Sequence, residues 1–311
     1  MSGGSPRTEP GGAARTVLIT GASSGIGRST AHLLATQGAR LVLAARSPET
    51  LETTRQECVG RGASAVLVVP TDVGDAAAVD ALFEAATTEF GRLDAVVQAA
   101  GVVAYGRFED VPADVFDKVI TTNVTGAANV ARAALRAFHA DADDAADARG
   151  SLVVVGSVLG KIATPYMSSY ATSKWALQGL VRTLQIEARG RGGVQITLVT
   201  PGGVDTPIYD QAGSYTGHPG SPPPPVVSPV YVARKIVRAL DKPARDLPAG
   251  SVNGLMVTGF RLLPGVYDVL VGPLMRLLGQ GRASVDPHPG NVFDPVPEKE
   301  AVRGRWPHLW G

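Results

Sequence analysis

Ser157, Tyr170 and Lys174 fall within one 18-residue stretch, and their types and spacing suit acid–base chemistry on a carbonyl or alcohol. Tyr170 and Lys174 are four residues apart, which places two side chains on one face of a helix. A free phenol titrates near ~10, too high for easy proton exchange at neutral pH. A neighbouring ammonium stabilises the phenolate and draws that value toward the working range. Ser157 follows the apolar run Ser151–Val155, which reads as a buried strand. At the C-terminal edge of a strand, where open α/β sheets bind ligands, its hydroxyl can donate to a substrate oxygen. A Y-x-x-x-K pair alone says little, since many surface helices contain one. Ser157 in front of it, and what lies upstream, make the combination specific.

Upstream, Thr16–Thr20 is a short β-branched and apolar run that reads as a buried strand. Gly21, Gly25 and Gly27 follow, and then a helical segment from about Ile26 to Gln37. A strand that feeds a glycine-rich turn into a helix N-terminus is an anion site, because backbone N–H groups there are unpaired and the helix dipole favours phosphate. Glycines are expected there because a Cβ would block the backbone's approach to a pyrophosphate. The spacing is G-x-x-x-G-x-G rather than the commoner G-x-G-x-x-G. The next strand, Arg40–Ala45, ends without the acidic residue that usually binds the ribose 2′-OH of NAD. Ala45 offers no carboxylate, and Arg46 offers a cation suited to a 2′-phosphate, which points to NADP(H) over NAD(H). Asp72, beyond the strand Ala65–Pro70, is placed either to bond an adenine amino group or to cap a short turn.

Several motifs in this order resemble the short-chain dehydrogenase/reductase family, from about Thr16 to Thr206. They are Thr20-Gly21-Ala22-Ser23-Ser24-Gly25-Ile26-Gly27, Asp72-Val73, Asn123, Ser157, Tyr170-x-x-x-Lys174, and Pro201-Gly202 with Thr206. The resemblance implies that Tyr170 is the general acid in reduction and the base in oxidation. Lys174 would bind the nicotinamide ribose and lower the tyrosine pKa, and Ser157 would position the substrate oxygen. Asn123, a poor helix former in mid-helix, would hold a water in the proton relay. Cofactor contacts would come from Gly21, Ser23, Ser24, Gly25, Ile26, Gly27, Arg46, Asp72, Val73, Ala99, Ala100, Gly101, Asn123, Tyr170, Lys174, Pro201, Gly202, Val204 and Thr206. The family's Asn-Asn-Ala-Gly after the fourth strand is here Gln98-Ala99-Ala100-Gly101. Loss of both asparagines removes amides that would brace the sheet there. Subunits would pair through the helices bearing Asn123 and Tyr170, as a homodimer or homotetramer.

Strand and helix runs alternate six times between 16 and 200, which implies a parallel sheet with right-handed crossovers. The expected fold is α/β: a doubly wound, Rossmann-like sheet of about seven strands flanked by helices. At 311 residues with 44% hydrophobic content and a net charge of +1, one such domain with appendages fits, and a nucleic-acid binder does not. The single Cys58 permits no internal disulfide and suits a reducing cytoplasm. The five histidines show no metal-ligand spacing, so no metal is expected. Residues 1–14 lack an apolar core and read as a flexible tail rather than a secretory leader. Asp141–Asp147 reads as a solvated acidic loop, and 213–229 as a substrate lid stiffened by proline.

The catalytic domain is therefore set at 15–251, and 252–311 is an apolar C-terminal segment and tail. Residues 252–278 carry no 18-residue uncharged run, so a spanning helix is not expected. Three roles are open for them: packing on the substrate pocket or a partner subunit, lying in a membrane interface as a peripheral contact, or forming a loose appendage. The functional expectation is NADP(H)-dependent hydride transfer to or from a moderately apolar carbonyl or alcohol. A catalytically silent nucleotide-binding regulator or scaffold, and an epimerase or dehydratase on the same fold, are the alternatives.

Overall fold

A computed structural model describes residues 14–140, 149–189 and 193–308. The acidic loop expected at 141–147 and nearly all of the N-terminal tail lie outside the described residues. The first half of the chain alternates β1 (Thr16–Thr20), α1 (Gly25–Ala35), β2 (Arg40–Ala45), α2 (Pro48–Gly60), β3 (Ala65–Pro70), α3 (Ala76–Phe90) and β4 (Ala95–Gln98). It continues with a short β5 (Ala104–Tyr105), α4 (Ala113–Ile120), a π-helical turn over Thr121–Thr125, α5 (Gly126–Ala140), β6 (Gly150–Val155), α6 (Ser168–Arg189) and β7 (Val194–Pro201). Two-residue strands β8 (Gly203–Val204), β9 (Gly213–Ser214) and β10 (Val226–Val227) precede α7 (Pro229–Asp241) and β11 (Asp246–Ala249).

The seven-stranded sheet runs β11-β7-β6-β4-β1-β2-β3, all parallel. Strand order reverses between β1 and β4, the switch point at which such sheets bind ligands. Because strand side chains alternate, each strand feeds two cores. Leu18, Val42, Val96 and Leu152 pack on one face with Val130 and Leu177 of α5 and α6. Val17, Ile19, Leu41 and Val97 pack on the other with Leu34, Leu51 and Ile236 of α1, α2 and α7. Burial on both faces explains why β1 reads as an unbroken apolar run instead of an alternating one. Pro248 lies in β11, an edge strand, where a missing N–H is tolerated.

Residues 213–229 are tied down at both ends, through β9 on β5 and β10 on β8. Beyond the sheet, 252–278 forms two helices, α8 (Asn253–Leu262) and α9 (Pro264–Leu278). Met275 is buried, whereas Leu255, Leu262, Val269 and Leu277 are each more than 70% exposed, so the pair is apolar on faces that the described chain does not cover. No helix among the described residues is long and apolar enough to cross a membrane.

The brace expected to be lost at the end of β4 is present in another form. Gln98 is buried, and its Oε1 accepts the Thr20 hydroxyl of β1 while its Nε2 donates to the Ala100 carbonyl at 3.3 Å. Thr20 Oγ1 in turn accepts from the amides of Ala99 and Ala100 at 3.2 and 3.3 Å. Glutamine's longer arm reaches across the switch point from inside the strand. Gln98→Ala should lower unfolding stability by about 1–3 kcal/mol, the usual penalty for stranding buried polar partners. Denaturant titration measures it; an unchanged midpoint would show that Gln98 braces nothing.

Candidate active site

The glycine turn between β1 and α1 forms one wall of a groove over the switch point. Gly21, Ser23, Ser24, Gly25, Ile26 and Gly27 line it, with Arg46 from the end of β2, Asp72 and Val73 after β3, Ala99, Ala100 and Gly101 after β4, and Thr206 after β8. The glycines serve the protein's own close packing, not only clearance for a ligand. Gly21 has φ +65°, and a Cβ on it would lie 2.8 Å from the Ala100 nitrogen. A Cβ on Gly27 would run into the Gly21 carbonyl, and one on Gly25 would crowd the Thr206 methyl at 3.1 Å. Ser24 makes no side-chain cap, so the first amides of α1 have no partner from their own N-cap side chain. Thr122 Oγ1 also lines the groove, buried and without a protein hydrogen bond. Backbone donors, a guanidinium and an orphaned hydroxyl along one trough fit a dinucleotide.

Asp72 caps a short turn and also lines the groove. Its Oδ1 accepts the Gly74 amide at 2.9 Å, closing a turn, and its Oδ2 pairs with Lys118 at 2.9 Å while facing the groove. Burial alone would raise its carboxyl, but the bonds from Lys118 and Gly74 and the charges of Lys118 and Arg46 hold it below the ordinary value. Pro201 ends β7, Gly202 follows it and Val204 lies in β8; none of the three is among the groove's lining residues.

The second cluster sits beyond Gly101. A Cβ there would lie 3.2 Å from Asn123 Oδ1 and 3.8 Å from Lys174 Nζ, so this glycine is the passage between the groove and the catalytic side chains. Asn123 is buried in the π turn, a local widening of the helix that is frequent at functional sites. Its amide donates to the Val102 carbonyl at 2.9 Å and to Ser173 Oγ at 3.0 Å, and its Oδ1 accepts the Val102 amide at 2.9 Å. These bonds fasten the β4 loop to α6, the helix that carries Tyr170 and Lys174.

Tyr170 and Lys174 share a face of α6, with Nζ 5.4 Å from the ring centroid. Lys174 Nζ donates to the Val155 carbonyl at 3.2 Å. Ser157 Oγ accepts the Leu159 amide at 3.1 Å, which caps a one-turn helix, and the hydroxyl lies close enough to the Tyr170 phenol to lower its pKa. Burial pushes the phenol up to about 12 despite the lowering influence of Ser157, and pushes the ammonium down to about 8. Desolvation thus outweighs the lowering of the tyrosine that Lys174 was expected to bring.

Around Tyr170 the walls are apolar: Val103, Tyr105, Met167, Ala212 and, from α9, Met275, with Ile208 and Tyr209 partly covered beside them. Tyr105 Oη is buried here without a hydrogen-bond partner. Phe108 does not join this wall: it is 69% exposed and stacks edge-on against Phe116.

Arg46 does not meet the groove as a free cation. Its guanidinium donates to the carbonyls of Asn291 at 2.6 Å, Phe293 at 2.8 Å and Val292 at 3.3 Å. The C-terminal tail therefore runs over this end, and Asn291 and Glu300 line the groove with Thr71, Gln211 and Thr122. No sequence motif marked these residues, and open space in the groove is only about 130 Å³, below the roughly 300–1,000 Å³ of small-molecule sites.

Comparison with known proteins agrees with this geometry. The short chain dehydrogenase family model matches residues 15–215. An uncharacterized oxidoreductase of Bacillus subtilis, YxnA, is 34% identical over 263 residues, covering 84% of this chain and 72% of that one. The Bos taurus dehydrogenase/reductase SDR family member 7B is 32% identical over 270 residues, covering 84% and 81%. Among solved structures, an alcohol dehydrogenase of the archaeon Thermococcus sibiricus, complexed with 5-hydroxy-NADP, superposes with a TM-score of 0.65 at 30% identity over 76% of this chain and 96% of that one. An actinorhodin polyketide ketoreductase with NADPH gives 0.67 at 25% identity over 78% and 97%. With the family model running from β1 through the glycine turn and α6 into the loop that follows β8, this chain belongs to the short-chain dehydrogenases, a family of nicotinamide-dependent oxidoreductases.

Proposed function

We propose that this protein transfers a hydride between a nicotinamide cofactor, NADP(H) in preference to NAD(H), and a carbonyl or secondary alcohol of a moderately apolar substrate. One observation carries the reading: Ser157 lies beside the Tyr170 phenol and lowers its pKa, and Lys174 lies over its ring, in an apolar chamber next to the glycine-turn groove. A nicotinamide bound there supplies or accepts the hydride. Every other task falls to side chains. Ser157 orients the substrate oxygen beside Tyr170 Oη. Tyr170 donates a proton to that oxygen in reduction and takes one back in oxidation. A phenol held near about 12 is protonated at neutral pH, the form that reduction requires. Lys174 brings a positive charge against the phenol and against a ribose seated by Gly101. Apolar walls from Met167, Ala212 and Met275 exclude water, which strengthens these interactions.

Preference for NADP(H) is supported by the neutral Ala45, by Arg46 in the groove wall, and by similar proteins solved with 5-hydroxy-NADP and NADPH. Exposed Trp175 and Ile186 on α6 support subunit pairing through that helix. The bare apolar face of α8 and α9 supports a contact with a second subunit or a membrane surface near the chamber.

Tyr170→Phe should lower NADPH-dependent turnover of aldehydes, ketones or quinones by about 10²–10⁴-fold while leaving nucleotide affinity within a few-fold. Steady-state assays beside fluorescence titration measure both. Turnover that survives the change would remove Tyr170 from the chemistry. Binding without turnover by the unaltered protein, across substrates and both directions, would favour a regulatory role.

Lys174 generates a prediction with the opposite sign for stability. Its folded pKa of about 8 lies below the ordinary lysine value, so the unfolded chain binds more protons between pH 8 and 10.5 and stability rises with pH across that window. Below it, the buried ammonium costs on the order of 3 kcal/mol. Lys174→Met should therefore raise the melting temperature at pH 7, abolish turnover and flatten the stability profile above pH 8. A lowered melting temperature would overturn this account of the buried charge.

A further inference from the structure

The tail that crosses the groove places a carboxylate where the sequence left none. Glu300 Oε1 accepts the Ser47 hydroxyl at 2.9 Å, and its Oε2 accepts the Thr50 hydroxyl. Ser47 and Thr50 stand at the start of α2, directly after Arg46, so guanidinium and two hydroxyls surround one spot at the end of β2. That spot is the position for the ribose 2′ substituent in folds of this kind. The neighbouring tail residue is seated as firmly. The Ala301 carbonyl accepts the Gly25 amide at 2.9 Å, one of the α1 donors that its own N-cap side chain leaves free. A tail carbonyl and a tail carboxylate thus rest on donors suited to the cofactor's own phosphates.

These contacts belong to a fastened segment. Gln211 Nε2 donates to the Lys299 carbonyl at 2.9 Å, and Asn291 Nδ2 donates to Gln211 Oε1 at 2.7 Å. Further on, the Trp306 amide donates to Asp205 at 3.0 Å, and its ring packs edge-on against Tyr209 at 5.1 Å. The tail is therefore pinned on both sides of Glu300, with Glu300 between the pins.

Resting on the nucleotide reading above, we propose that Glu300 is a cofactor-selectivity residue. Its carboxylate occupies the 2′-phosphate subsite of Arg46, Ser47 and Thr50, and NADP(H) binds by displacing the stretch 299–301. With the tail in place the subsite is acidic: Asp72, Asp294 and Glu300 all act on Arg46. Such a surface accepts a hydrogen bond from a ribose 2′-OH and repels a 2′-phosphate, so the closed tail favours NAD(H). With 299–301 lifted, the Ser47 and Thr50 hydroxyls are free for the phosphate and the Glu300 charge no longer faces Arg46, whose own donors stay on the carbonyls of Asn291, Val292 and Phe293. Selectivity then depends on an acidic residue about 250 positions away from the strand end that normally supplies it.

The test uses the full-length protein and Glu300→Gln, which keeps the shape and removes the charge. NADPH and NADH affinities are read by fluorescence titration, with hydrogen exchange over 289–306 measured alongside. The substitution should tighten NADPH by about tenfold or more, and leave NADH within about twofold. In the unaltered protein, NADPH should raise amide exchange around 299–301, whereas NADH should raise it less. An unchanged NADPH-to-NADH affinity ratio in Glu300→Gln overturns the proposal and leaves the nucleotide reading intact. Unchanged or deeper protection of the tail by NADPH also overturns it. Failure of both proteins to bind either nucleotide overturns the nucleotide reading, and this proposal with it.

Discussion

The close approach of the β1–α1 turn to the end of β4 is the constraint on which the site depends. Gly21 touches the Ala100 backbone, and Gly27 touches Gly21, at separations no side chain permits. This contact sets how far α1 can tuck beneath the strand ends, and so where its open amides point. Thr20 and Gln98 lock the same junction from below with a short polar chain inside the sheet. One step on, Gly101 leaves room for Asn123 and Lys174 to converge. Anion donors and proton chemistry thus share a single backbone junction, and a shift there would move both.

Within the chamber, burial is the stronger electrostatic influence on the described residues. It raises Tyr170 and lowers Lys174, and both changes favour the neutral forms. A site that holds an ammonium beside a phenol under these conditions stores unfavourable free energy, which a bound ribose and a substrate oxygen would relieve. The fold supplies the restraint: Asn123 spans the β4 loop and Ser173, and Val155 accepts the lysine's hydrogen bond. Rigid supports on α6, β6 and the π turn keep these groups in register without help from the mobile ends of long side chains.

Much of this is legible in the sequence. Strands β1, β2 and β3 are legible to their terminal residues, because each is a short apolar run closed off by turn residues, the first two buried between helical layers and β3 half-buried at the sheet edge. The glycine turn and the Ser157, Tyr170, Lys174 spacing were equally plain, since local geometry alone puts those groups together. The brace at Gln98 was misjudged because its partner, Thr20, comes from another strand. The π turn was visible only as an awkward asparagine. Residues 252–278 carry apolar side chains on all sides with two prolines, so no single face stood out; in the structure Met275 and Val271 reach the chamber and most of the remainder faces outward.

Arg46 shows the limit most clearly. Read locally, a guanidinium at a strand end with no carboxylate beside it selects a phosphate. In the folded chain three backbone carbonyls of the tail take its donors, and Glu300 takes the hydroxyls beside it. Nothing in the periodicity of the tail announces this, because 286–308 has almost no regular structure and is held by scattered backbone and side-chain bonds to distant partners. The short stretch 299–301, between those anchors, leaves more easily than a strand or a packed helix, since few contacts must break together. It can therefore share a subsite with a ligand, as a core element cannot. The same irregular attachment that hides the tail from sequence reading is what suits this stretch to compete with a cofactor.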